Sequence, residues 1–165
     1  IPRVRALRPQ LIWVYPDKGS FSASLTGALC DAGTDAVILE ADERRRMPQE
    51  IAEMVVEGIF CKLREMGIWT GEAQNAPTQS EAIPTFLSQE DVCRVACEYP
   101  GVYVPEDFLG THVQAGQVLG TVIDALEGVA REEIKAPCSG LVFSQRSYSA
   151  VYPGTLIARI RKEQA

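Results

Sequence analysis

The first third of the chain sets short apolar runs among segments of mixed pattern. "LIWVY" (Leu11–Tyr15) is a run of β-forming residues closed by Pro16, Asp17 and Gly19, which predicts a strand running into a turn. In "SFSASLTGALCDAG" (Ser20–Gly33), Leu25, Ala28 and Leu29 recur at helical spacing. Ser20 or Ser22 supplies a capping oxygen and Gly33 a stop, so a helix is expected. "AVILE" (Ala36–Glu40) predicts a second strand, one that ends in a carboxylate. Pro48 suits a first helical turn. "QEIAEMVVEGIFCKLREMG" (Gln49–Gly67) then places Ile51, Met54, Val55, Gly58, Ile59 and Leu63 on one face, the mark of an amphipathic helix. Strands alternating with helices predict an α/β layer over residues 1–68. Two strands make a poor sheet, so the expectation is part of a larger α/β domain.

The texture changes twice more. "WTGEAQNAPTQSEAIPTFLSQ" holds two prolines and little periodicity, and residues 69–89 read as a connection. Residues 90–165 are short apolar runs set between Gly and Pro turns. They contain a repeat: "VQAGQVLGTV" (Val113–Val122) aligns with "VYPGTLIARI" (Val151–Ile160), Gly116 facing Gly154. Each half also starts from a glycine and a strand, "GVYV" from Gly101 and "GLVF" from Gly140. Such repetition predicts a pseudo-symmetric β unit, with each turn glycine at positive φ.

Composition narrows the function classes. The 165 residues are 46% hydrophobic and 23% charged, an ordinary globular balance. The net charge is −6, and the one dense basic run, Arg44–Arg46, is flanked by Asp42 and Glu43. Nucleic acid is therefore not an expected partner, since phosphate binding needs clustered Lys and Arg. No apolar run approaches the roughly 18 residues of a membrane span, and no secretory signal is visible. The chain opens without an initiator Met, which suggests processing or an incomplete chain. Five scattered cysteines (Cys30, Cys61, Cys93, Cys97 and Cys138) argue against a secreted disulfide framework. They point to small buried thiols in a reducing compartment, here the cytoplasm. With a single histidine, His112, a Cys/His zinc site would lack ligands.

Glu40 is the chief candidate for chemistry. From the residues alone it is either the first solvated position past a strand or a catalytic carboxylate at a strand's carboxyl end, where open α/β sheets keep their sites. Asp17, Lys18 and Ser20 would lie on the same edge and read as a solvated turn. Arg146, after "GLVFSQ", reads as an exposed strand-end arginine. Tyr148 and Tyr152 read as half-buried strand aromatics, and Trp13 and Trp69 as packing residues.

The repeat together with "EEIKAPCSG" (Glu132–Gly140) resembles the biotinyl/lipoyl-type barrel-sandwich module. Carriers of that type hold a modifiable lysine at the hairpin tip before this strand. Here the tip, "DALEGVARE" (Asp124–Glu132), has none, and Lys135 lies inside the strand, so a carrier role is disfavoured.

The succession is more specific. "EGIFCKLREMGIWTG", a connection, "GVYVPEDFLGTHVQAGQVLGTVID" and "EEIKAPCSGLVFSQRSYSAVYPGTLIARI" together resemble the succinylglutamate desuccinylase/aspartoacylase family of zinc-dependent deacylases, relatives of the metallocarboxypeptidases. The resemblance covers roughly Ser20 onwards. It implies an α/β fold class: the end of a carboxypeptidase-like α/β domain, then a β barrel-sandwich domain. It further implies an enzyme that hydrolyses the amide of an N-acyl amino acid or a similar small acyl compound, with zinc as cofactor.

In the family, "GTDAVILEAD" matches the element that ends in the catalytic glutamate, which makes Glu40 the general acid/base. The family follows that residue with a small residue and Gly; here Ala41-Asp42 stand there. Arg146, favoured as an exposed strand-end arginine, is also the candidate for a bidentate contact to a substrate carboxylate. The family's zinc ligands, an H-x-x-E pair and a later histidine, precede the catalytic strand. "HVQA" at His112 is not that motif, so no metal ligand is expected in this chain, and His112 reads as a surface or packing residue. Two alternatives stay open: a non-catalytic barrel-sandwich binding module, and a degenerate scaffold relative.

Overall fold

The computed structural model describes residue 4 and residues 9–14, 23–40, 49–71 and 84–163. The chain divides into two units, Ile1–Phe86 and Leu87–Ala165.

The first unit holds strand β1 (Leu11–Trp13), helix α1 (Leu25–Asp31) and helix α2 (Gln49–Glu65). Strand β2 (Thr85–Leu87) pairs with β1. The start of α1 is fixed by Ser24, whose hydroxyl accepts from the Gly27 N–H at 3.1 Å. Leu25 is already helical, so the capping oxygen has to come from the residue before it, not from Ser20 or Ser22, which lie outside the described residues. Gly33, at φ 81°, closes the helix with Thr34 N–H donating to Leu29 C=O at 2.9 Å. In α2, Ile51, Met54, Val55 and Leu63 are half-buried around a buried Gly58, while Ile59 is 46% exposed. Its polar side carries Lys62–Glu65 and Arg64–Glu57 ion pairs.

Two expectations fail here. Residues 34–40 form no strand, and Val37 and Ile38 are 56% and 50% exposed. A strand exists only where a neighbour takes up its N–H and C=O groups. Among the described residues of this unit the only ladder joins β1 to β2, and it does not reach this run. Among the described residues the first unit therefore shows two helices and a two-stranded sheet. Conversely, the segment read as a connection ends in a strand: "TFL" pairs with β1, beginning with Thr85 N–H donating to Gln10 C=O.

The second unit is all β: β3 (Val92–Ala96), β4 (Gly101–Pro105), β5 (His112–Val113), β6 (Val118–Ile123), β7 (Ala130–Lys135), β8 (Gly140–Gln145), β9 (Ala150–Val151) and β10 (Leu156–Lys162). They form two four-stranded antiparallel sheets, β3-β10-β8-β5 and β7-β6-β4-β9. Neither sheet closes into a barrel. Alternate residues of both sheets meet in one core of Val95, Tyr103, Val113, Leu119, Val122, Ile134, Val142, Val151, Ile157 and Ile160, as a period of two requires.

The repeat is expressed as an exchange. β4, β5 and β6 correspond to β8, β9 and β10. In each half the long strands pair with one another, β4 with β6 and β8 with β10. Each short strand crosses to the other half: β5 pairs with β8, and β9 with β4. Gly116 (φ 86°) and Gly154 (φ 81°) occupy equivalent turns, a conformation that penalises a Cβ. Gly101 and Gly140 share a different need. A Cβ at Gly101 would strike the Ile123 carbonyl oxygen, and one at Gly140 that of Arg161. Both glycines let the first strand of a half pass close over the end of its last.

The reading of all five cysteines as thiols also needs correction. Cys93 and Cys138 are joined in a disulfide, while Cys30, Cys61 and Cys97 are free. The partners lie 45 residues apart in sequence and meet because β3 and β7 are edge strands of the two sheets.

Candidate functional site

Glu40 is the last described residue of a run without regular structure, and its side chain is exposed. The run leads out of the C-terminal end of α1 through Gly33. Ala41 and Asp42, where the sequence departs from the family pattern, lie outside the described residues, as do Asp17, Lys18 and Ser20.

Arg146 follows β8 in the second unit. Its Nε donates to the Tyr148 carbonyl at 2.9 Å and an Nη2 hydrogen to the Ala150 carbonyl at 2.8 Å. The guanidinium carbon stands 5.6 Å from the centre of the Tyr148 ring, within cation–π range. The structure therefore brings Arg146 and Tyr148 together and braces the 146–150 loop with them. Tyr152 is exposed on the turn after β9; its carbonyl accepts from the Cys97 thiol. His112 is exposed on β5, with Nδ1 3.2 Å from Glu163 Oε1. It lies on the surface, as its sequence context suggests. Among the described residues, no three His, Cys, Asp or Glu side chains gather to hold a metal.

The tip between β6 and β7 sits where a carrier module would bear its lysine. It is organised by Asp124, whose carboxylate accepts from the N–H groups of Leu126 at 2.7 Å and Glu127 at 2.9 Å. The same carboxylate is ion-paired with Arg131. The Glu127 and Leu126 amides hold its carboxyl below the usual range, and Arg131 adds to the effect against the opposing influence of burial. Leu126, 97% exposed, stands at the tip, where a carrier would bear its lysine.

A second polar cluster escaped the sequence reading. Tyr103 donates its buried hydroxyl to the Leu119 carbonyl at 3.0 Å. Gln145 donates to the Glu106 carbonyl and accepts from Phe108 N–H at 3.1 Å. These contacts pin residues 103–108 across both sheets. Only a tyrosine at an inward position of β4 hinted at them, since a buried hydroxyl needs an acceptor.

No family model matches the chain, and a comparison with curated proteins finds no match. Solved structures do match. A succinylglutamate desuccinylase from Silicibacter sp. TM1040 superposes at TM-score 0.76 with 20% identity over 96% of this chain and 47% of its own. The apo ectoine utilization protein EutE (DoeB) from Ruegeria pomeroyi gives 0.74 with 21% identity, over 98% and 50%. A succinylglutamate desuccinylase/aspartoacylase from Rhodobacter sphaeroides gives 0.73 with 18% identity, over 97% and 47%. The chain has the succinylglutamate desuccinylase/aspartoacylase fold. It spans about half the length of these relatives.

Proposed function

We propose that this chain is a stretch of a zinc-dependent deacylase of the desuccinylase/aspartoacylase family, one that hydrolyses the amide bond of an N-acyl amino acid or a similar small acyl compound. The observation that carries the reading is the fold match along nearly the whole chain to proteins bearing those names. In this reading the first unit is the later part of a carboxypeptidase-like α/β domain. The apolar run Val37–Leu39, exposed and unpaired with any described strand, is then the edge on which the rest of that sheet forms. The second unit is the barrel-sandwich domain, and the protein works in the cytoplasm.

Glu40 is the general base. Its carboxylate takes a proton from the attacking water as the water oxygen bonds to the amide carbon. The same carboxyl then gives that proton to the amine nitrogen as the C–N bond breaks. A carboxylate serves both halves because the oxygen that accepts the proton in the first step can return it in the second. The described residues do not fit a zinc site by themselves, so the ion's ligands belong to residues outside them. Arg146 is the candidate contact for a substrate carboxylate. Such a contact has to compete with the two loop carbonyls that the guanidinium now holds.

The deciding experiment is Glu40→Gln in the full-length protein, assayed against N-succinyl and N-acetyl amino acids. Hydrolysis falls by roughly two to four orders of magnitude with zinc content unchanged. Unchanged turnover would remove Glu40 from the mechanism, and no turnover of any N-acyl amino acid by the wild type would remove the deacylase reading.

A further inference from the structure

We propose that Cys93 and Cys138 form a reversible redox clasp that closes one side of the second unit. β3 is the terminal strand of one sheet and β7 that of the other. Cys93 lies in β3 and Cys138 three residues beyond the end of β7. The bond therefore links two sheets that share no ladder on this side. The same side is joined a second time by Glu132 on β7, whose carboxylate accepts from the N–H groups of Glu98 and Tyr99 just after β3.

Both sulfurs are placed for exchange. Cys93 stands opposite Ile160 of β10, so the two side chains share the inward face of the sheet. Cys93 and Cys138 both pack against the core yet remain only partly buried, which leaves them within reach of a small thiol or disulfide. Their Cα atoms are 6.9 Å apart, close to the upper end of the span a disulfide bridges. When the bond is reduced, β3 keeps its ladder with β10, so the unit loses its clasp and retains its sheets. Cys97, buried and donating its thiol hydrogen to the Tyr152 carbonyl, lies outside the exchange and serves as a control.

The oxidant is a small-molecule disulfide such as oxidised glutathione. One cysteine thiolate attacks it, a mixed disulfide forms and one glutathione thiolate leaves. The second cysteine attacks the mixed disulfide and releases the other glutathione. Two protein thiols and one glutathione disulfide thus become one protein disulfide and two glutathione thiols, with two electrons passed to glutathione.

The test equilibrates the native protein in oxidised or in reduced glutathione, quenches it, alkylates it in denaturant and maps the labelled cysteines by mass. Labelling is expected at three cysteines after oxidation, Cys30, Cys61 and Cys97, and at all five after reduction, reversibly. The melting temperature of the second unit falls by about 10 °C in the reduced form. Cys93→Ser and Cys138→Ser each abolish that redox dependence. The wild type in the two buffers gives the same comparison should either variant fail to fold. Five labelled cysteines after oxidation, a bond between another pair, a bond that resists reduced glutathione in the native protein, or identical melting in both states would each overturn the clasp.

Discussion

Tyr103→Phe removes one oxygen from the centre of the second unit. The hydroxyl is buried and donates to the Leu119 carbonyl. That carbonyl also accepts from Glu106 N–H at 3.0 Å. The weaker contact from Gln145 Nε2 to the hydroxyl, at 3.5 Å, is backed by that amide's bond to the Glu106 carbonyl. Neither neighbour is left without a partner when the hydroxyl goes. The loss is therefore that of a net hydrogen bond, about 1 kcal/mol, and not the 2–3 kcal/mol of an orphaned buried group.

Tyr103→Ala adds a cavity and costs about 3–5 kcal/mol. Urea unfolding followed by far-ultraviolet circular dichroism measures both, and amide exchange of β6 reads the second unit directly. A loss above about 2 kcal/mol for Tyr103→Phe would show that the backup bonds do not form.

Alkaline pH gives an independent check. Burial pushes the phenol above its usual value, the Gln145 amide opposes the shift and the Glu106 charge adds to it. A group raised in the folded state contributes stability below its unfolded value, near 10, and loses it as pH rises through the folded value. The stability gap between wild type and Tyr103→Phe therefore narrows above about pH 10. A constant gap would refute the reasoning.

Acid tests the β6–β7 tip. Asp124 is lowered in the folded state, so its contribution is present above the usual carboxylate value, near 4, and is lost as pH falls through the folded value. Asp124→Asn should flatten the stability profile below about pH 4, and Asp124→Ala should speed amide exchange at Leu126 and Glu127; a profile like the wild type's would deny the carboxylate its role. Arg146→Lys keeps a cation and loses the planar fork. If Arg146 holds a substrate carboxylate in the full-length enzyme, KM rises with kcat little changed; equal losses in kcat and melting temperature would assign it to bracing the loop alone.

The sequence made the second unit legible because its demands are local. Positive φ at Gly116 and Gly154 and close approach at Gly101 and Gly140 are needs that few residues other than glycine meet, so the repeat shows in the letters. "AVILE" misled because an apolar β-forming run states what a strand would be made of and not whether a neighbour is there to pair with it. The cap of α1 fell on Ser24 among several nearby serines, a choice set by where the backbone turns helical. Cys93 and Cys138 gave no sign of their bond, since sheet order, not sequence spacing, brings the two edges together. Glu40 was marked by the family pattern around it; periodicity alone left it one exposed carboxylate among many.

The place of β10 bears on how the second unit comes to exist. Leu156–Lys162 lies between β3 and β8, yet it is made after both. Until those residues leave the ribosome, β3 has no ladder and β8 can pair only with the two residues of β5. Folding of this unit is therefore deferred to the end of its synthesis, with exposed edges and a high share of distant contacts in the interval. A premature stop before Leu156 removes an inner strand of a sheet and not a dispensable tail, and such a product should aggregate.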